Sequence, residues 1–194
     1  MLIDSHCHFD HREFDRDRTE AWQRARGAGV MAQVIPAITA ADWGRVKQAC
    51  HDYPDMYPAY GLHPMFCHEH RDEDLQELRR WIQQEKPVAV GECGLDFYIK
   101  DPDKERQMEL FEAQLDMALE FRLPAIIHAR RAVEQVIQAL RNRPGLTGVL
   151  HSYSGSLQQA EQLVEMGYYL GLGGPITYPN ATRLQKLVAQ LPLE

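Results

Sequence analysis

Asp4, His6 and His8 lie at i, i+2 and i+4 in LIDSHCHFD. On a strand, a period of two puts all three on one face. Two imidazoles aimed the same way form a natural half of a metal site, since His is the commonest ligand for divalent first-row metals. Glu92 closes the apolar run PVAVGE, His128 closes LPAIIH and His151 closes GVLH. A carboxylate at such a position is paired, a ligand or catalytic, because unpaired burial is costly. Gly91 and Gly94 around Glu92 predict close approach of a ligand or a neighbouring backbone.

The elements that must carry these residues alternate. Apolar runs read as strands near 2–8, 30–38, 57–62, 87–92, 123–128, 147–152 and 168–173. They start about 21–36 residues apart, room for one helix and two loops each. Several are apolar on both faces, as in a buried parallel sheet. A helix is predicted over 102–122, with Met108, Phe111, Leu115, Ala118 and Leu119 on one face and Asp101-Pro102 as its start. Asp72 starts another, with Leu75, Leu78 and Ile82 inward. Ser156 caps a third that Gly167 ends, and Gly27 and Gly29 close the first.

This repetition predicts an α/β fold. No GxGxxG turn follows the first strand and no P-loop occurs, which disfavours a nucleotide-binding open sheet. A TIM-type barrel, (β/α)8, gathers its C-terminal strand ends at one mouth. Strands 1, 4, 5 and 6 would then bring His6, His8, Glu92, His128 and His151 together. Seven strands are recognisable, so the reading is a single incomplete barrel over residues 1–194.

Composition agrees. The chain has 194 residues, 44% of them apolar and 25% charged, which excludes a disordered polymer. No apolar run reaches membrane-spanning length and no secretory signal is visible, so a cytoplasmic protein with no membrane partner is expected. Cys7, Cys50, Cys67 and Cys93 form no CxxC pair and are expected as reduced packing thiols, Cys7 and Cys93 facing away from the site. The net charge of −7 argues against a general nucleic-acid binder. It leaves room for a phosphate substrate if bound metal supplies positive charge.

DSHCHFD at 4–10, GLHP at 61–64, GECGLDFY at 91–98, PAIIHAR at 124–130 and HSYSG at 151–155 together resemble the TatD-type metal-dependent hydrolases, described as deoxyribonucleases. The resemblance implies that His6 and His8 bind one divalent ion, that Glu92 bridges to a second, and that His128 and His151 complete it. Two metals (Zn, Mn or Mg) would serve phosphodiester hydrolysis by a metal-activated water. Glu92 and His63 would be the catalytic residues, His63 touching substrate or leaving group. Asp96, Tyr98, Arg130 and Tyr153 would meet substrate or orient ligands: Arg130 a phosphate, Tyr153 a base or sugar. DNA is the expected partner, a single-stranded end suiting the sequence better than a long duplex, and the oligomeric state is left open. Hydrolysis of a small-molecule amide or ester, and a non-catalytic scaffold, are the alternatives. His68 and His70, in CHEHRDED, are expected to be solvated.

Two departures stand out. The family carries an eighth strand with a ligand aspartate, and residues 191–194 fall where that strand should begin. The family often has an acidic residue after the Arg, where this chain has Arg131.

Overall fold

The computed structural model describes residues 2–191. The expected onset of an eighth strand therefore lies, beyond Leu191, outside the described residues. Seven parallel strands form one sheet in chain order: β1 (Leu2–Asp4), β2 (Val30–Pro36), β3 (Met56–Tyr60), β4 (Ala89–Asp96), β5 (Ala125–Arg130), β6 (Gly148–Leu150) and β7 (Tyr168–Leu170). Helices α1 (Arg18–Gly27), α2 (Trp43–Asp52), α3 (Asp72–Glu85), α4 (Lys104–Phe121), α5 (Val133–Arg141), α6 (Leu157–Glu165) and α7 (Thr182–Val188) connect or follow them. This is the curled, TIM-like α/β architecture that the alternation predicts, with β1 and β7 at the two edges of the described sheet.

The two faces of the sheet are chemically distinct. Ile35, Tyr60, Val90, Ile127 and Leu150 pack outward in a large core with Val46, Leu78, Phe111, Leu115, Ile137 and Leu163 of the helices. Their strand neighbours Val34, Ala59, Ala89, Ile126 and Val149 form a second, small apolar layer on the opposite, inward face. Strand alternation accounts for the split. Continued along the chain, the same alternation sends His63, His128 and His151 inward.

Glu92 obeys this rule only because the ladder is broken. The register between β4 and β5 shifts between Val90 and Cys93. Val90, Cys93 and Leu95 all belong to the outward core. Unbroken alternation would have put Glu92 on Val90's face, among the helices. The irregularity turns it inward, as bulges do beside functional sites. Gly91 permits this, with φ of 152° and a backbone so close to Ile126 that a Cβ would lie 2.7 Å from that residue's Cβ.

Two boundaries differ from expectation in ways that matter. β4 does not end at Glu92; it runs to Asp96 with all eight residues buried, its continuation masked in the sequence by glycines. β1 ends at Asp4, so His6 and His8 lie beyond the strand. There the chain is held by His6 N–H donating to Asp4 Oδ1 (3.1 Å) and Cys7 N–H to Val34 O (3.0 Å).

Among the helices, Ser156 does cap α6, in a reciprocal box with Gln159. Helix α4 is capped by Asp103, which accepts from Arg106 N–H, rather than by Asp101-Pro102. Leu119, expected inward, is exposed. No helix is long and apolar enough to cross a membrane among the described residues.

Candidate metal centre

Glu92 is 2% exposed and sits inside a ring of imidazoles. Its Oε2 lies 3.1 Å from His6 Nε2 and 3.5 Å from His8 Nε2. Its Oε1 lies 3.2 Å from His63 Nε2 and 3.2 Å from His128 Nδ1. Burial pushes this carboxyl up, but hydrogen bonds from His128, His6, His63 and His8 outweigh it and hold the group well below the usual carboxylate range. Glu92 is therefore an anion in the interior.

Each imidazole is aimed by what its other nitrogen does. His8 Nδ1 meets Pro36 O at 3.1 Å, so that nitrogen carries a proton and Nε2 is the atom turned toward Glu92 and His6; burial lowers the ring's pKa, but the hydrogen bond and charge of Glu92 prevail and raise it. His6 Nε2 lies 3.1 Å from His8 Nε2, and its Nδ1 is buried with no hydrogen-bond partner among the described residues. His63 caps the 3-10 turn Pro64–Glu69: its Nδ1 accepts from Met65 N–H at 3.1 Å. A neutral His63 ring then carries its proton on Nε2 and donates it to Glu92 Oε1; burial lowers its pKa, favouring the neutral form.

His128 is placed by register. Its partner across the ladder is Gly94, with Glu92 and Asp96 two residues to either side. The imidazole spans both carboxylates, Nδ1 to Glu92 and Nε2 to Asp96 Oδ2 at 2.9 Å. Burial lowers its pKa, yet the bonds to Asp96 and Glu92 prevail and raise it to about 9. Gly94 is required here, because a Cβ would fall 2.0 Å from His128 O.

His151 enters the mouth but not the donor cluster. Its ring stacks on His6, centroids 3.5 Å apart and planes 13° from parallel. Burial and the repulsion of His6 push its pKa down to about 4. Thus the geometry gathers two groups able to hold a metal ion, His6–His8–Glu92 and His63–Glu92–His128. The expectation paired His151 with His128; among the described residues it is His63 that lies beside His128 on Glu92, its ring also held by Met65 N–H.

The first group fits a cation well. Three donor atoms converge at 3.1, 3.1 and 3.5 Å. A tetrahedral ion with bonds of about 2.0–2.1 Å has ligand–ligand edges of about 3.3–3.4 Å. Glu92 Oε2 offers a lone pair there, and His8 Nε2 does so when its ring is neutral. The second group fits less completely: Glu92 Oε1 and His128 Nδ1 can ligate, while neutral His63 is a donor.

The outer residues sort differently from expectation. Asp96 is fully buried. Its Oδ1 accepts from Tyr98 and Ile99 N–H (2.9 and 3.3 Å) and its Oδ2 holds His128, so it orients that imidazole. Tyr153, expected to stack on a base, is 3% exposed, and its hydroxyl donates to Ser156 O at 2.6 Å. It braces the loop before α6. Arg130 and Tyr98 are exposed, the guanidinium carbon 3.9 Å from the ring centroid. Cys93 is buried and Cys7 partly so; burial raises both thiols, Cys7 to about 11, as packing thiols require.

Three positioning residues escaped the sequence reading. Gln114 on α4 accepts from Leu62 N–H (2.7 Å) and donates to Leu62 O (3.2 Å), fixing the residue before His63. Gln107, two turns earlier on the same face, does the same for Asp96 at 2.8 and 3.1 Å. The signal was available: two glutamines seven apart on a face shared with Leu110 and Phe111. His70, read as solvated, is 7% exposed, and its Nε2 donates to His63 O at 2.9 Å. His68 is exposed as expected.

Residues 3–194 match the family model described as TatD related DNase. The chain belongs to this family. It is 43% identical over 195 residues to the metal-dependent hydrolase YjjV of Escherichia coli K12, spanning 99% of this chain and 75% of that protein. Against the metal-dependent hydrolase YabD of Bacillus subtilis 168 the identity is 33% over 194 residues, covering 99% and 76%. The crystal structure of E. coli YjjV, a TatD homolog, superposes with a TM-score of 0.93 at 42% identity, covering 98% of this chain and 75% of that one. A TatD family hydrolase from Entamoeba histolytica shares the fold, with a TM-score of 0.88 at 20% identity over 99% and 70%.

Proposed function

We propose that this TatD-family chain is a metal-dependent hydrolase that cleaves phosphodiester bonds of DNA, with two divalent ions at Glu92. The observation that carries the reading is the buried Glu92 carboxylate, whose two oxygens face different pairs of imidazoles. His6, His8 and Glu92 Oε2 would hold one ion; Glu92 Oε1 and His128 Nδ1 would contribute to the second. Bound there, such ions supply Lewis-acid polarisation of a phosphoryl group and a nucleophile from water at neutral pH.

The chain's own residues do the rest. Pro36 O holds the proton on His8 Nδ1 and keeps Nε2 available as a ligand. Asp96 does the equivalent for His128: Oδ2 accepts a hydrogen bond from Nε2–H and so leaves Nδ1 as the atom that would ligate. His63 keeps its Nε2–H on Glu92 Oε1 and so steadies the bridging carboxylate. Exposed Arg130 at the mouth is placed to receive a phosphate oxygen.

The test is metal content by elemental analysis together with degradation of end-labelled single-stranded DNA, with and without EDTA. Bound metal with EDTA-sensitive degradation is the expected result. Bound metal without degradation of DNA or RNA would overturn the nuclease reading and leave an amide or ester hydrolase. A chain that takes up no metal on reconstitution would overturn both.

A further inference from the structure

Beside the Glu92 cluster lies a hollow of about 400 Å3 lined by His128, His151, Arg130 and Ser154. Arg130 and Ser154 also line the next cleft, of about 620 Å3, with Tyr98, Arg131 and Arg183. The two spaces adjoin at these shared residues. The second is built of charge that nothing in the metal centre uses.

Consecutive residues on a strand point to opposite faces. Arg131 escapes this because it has left β5 in the left-handed region, φ 54°. Both side chains therefore reach the same ring: the guanidinium carbons lie 3.9 and 4.4 Å from the Tyr98 centroid. The two charges thus lie within about 8 Å of each other, where like charges repel. Contact with the ring face offsets part of that cost. Arg183 of α7 lines the same cleft and donates to Ser154 O at 2.5 Å. Among the described residues, none of these three arginines pairs with a carboxylate, although the chain carries a net charge of −7. Glu134, on the rim of the cleft, is engaged by Gln159. A doubly charged or diester phosphate is the group that satisfies converging guanidinium donors.

We propose that the Tyr98–Arg130–Arg131–Arg183 cleft is a second phosphate subsite, holding a phosphate that flanks the scissile one in a single-stranded deoxynucleotide. It rests on the hydrolase reading above and adds to it the recognition of more than one phosphate. Arg131 and Arg183 here are binding residues, remote from the reacting atoms. The resembled family often has an acidic residue after the Arg, where this chain has Arg131.

The test separates binding from chemistry. Fluorescence anisotropy of a labelled single-stranded deoxytetranucleotide in EDTA compares the unaltered chain with Arg131→Gln and Arg183→Gln. Each variant is expected to bind about tenfold more weakly, with a shallower salt dependence. Both residues are exposed, so thermal melting should be unchanged. No binding by the unaltered chain, or equal binding by all three, would overturn the proposal. With metal restored, hydrolysis of the tetranucleotide should fall about tenfold more than hydrolysis of bis(p-nitrophenyl) phosphate, which has no flanking phosphate. Equal losses on both would also overturn it. Should neither substrate be hydrolysed by the unaltered chain, the hydrolase reading fails, while anisotropy in EDTA still decides the subsite. Repeating it with a 5′-phosphorylated tetranucleotide separates the sources: tighter binding that Arg131→Gln abolishes means a terminal phosphate, and no change means an internal diester.

Discussion

The two sides of Glu92 look alike as residue lists and differ in their protons. On the Oε1 side, His63 and His128 have both ring nitrogens engaged, and each supplies a proton to the carboxylate. That side is a satisfied hydrogen-bond network. On the Oε2 side, His8 has Nδ1 tied to a carbonyl and turns Nε2 into the cluster, and His6 has one nitrogen in the cluster and one without a partner among the described residues. That side leaves its ligating nitrogens open to an ion in place of a proton. A histidine near a carboxylate is thus a ligand or a donor according to where its far nitrogen is tied. The Oε2 side should fill first with a divalent ion, and the Oε1 side only once His128 gives up the proton on Nδ1.

Glu92→Gln removes the anion that both sides share, and it should break the comparison outright. Metal content should fall to background, and cleavage of end-labelled DNA should drop at least about a thousandfold, the several kcal/mol that metal assistance supplies. Separating the sides comes next. His8→Ala should abolish the tighter metal site, whereas His63→Ala should leave it in place; elemental analysis after gel filtration reads the difference. Equal loss in both variants would refute the donor–ligand distinction.

Asp96→Asn should weaken only the second site, by about 10–100-fold in metal affinity, measured by competition with a chelating dye. Gln114→Ala strips both backbone groups of Leu62 of their partner and should cost about 2–4 kcal/mol in urea unfolding. The smallest effect lies away from the site. Asp74 opens α3 by accepting from Arg71 N–H (2.8 Å) and its guanidinium (2.8 and 3.2 Å). Burial opposes ionisation of Asp74, but these bonds prevail and lower its pKa. Its contribution is thus present above the unfolded carboxylate pKa of about 3.9 and fades as pH falls through the lower folded value. Asp74→Asn should cost about 1 kcal/mol at neutral pH and flatten that acid limb of stability against pH.

Much of this was legible in the sequence because strands announce themselves by apolar runs and ligands by residue type. All seven strands and every histidine of the cluster were visible so. What escaped was set by backbone irregularity and by atoms of opposite roles on one ring. The extension of β4 to Asp96 was hidden by Gly91 and Gly94, which read as punctuation and are close-contact positions instead. The contact of His63 with Glu92 was not foreseen, because Met65 N–H, a backbone group, helps hold that imidazole in place. Tyr153 read as a stacking platform because burial cannot be seen in HSYSG. Gln107 and Gln114 looked like ordinary helix residues; only docking of α4 shows that they reach main chain.

The Gln114–Leu62 bridge joins positions 52 residues apart. The metal donors themselves run from His6 to His128. A chain emerging from the ribosome must therefore reach Glu92 before the first coordination sphere can form, and His128, with α4 seated, before the second. Unlike a zinc finger, which condenses around its ion, this scaffold has to finish first and recruit its metal afterwards. Chelation should empty the centre and leave the barrel standing.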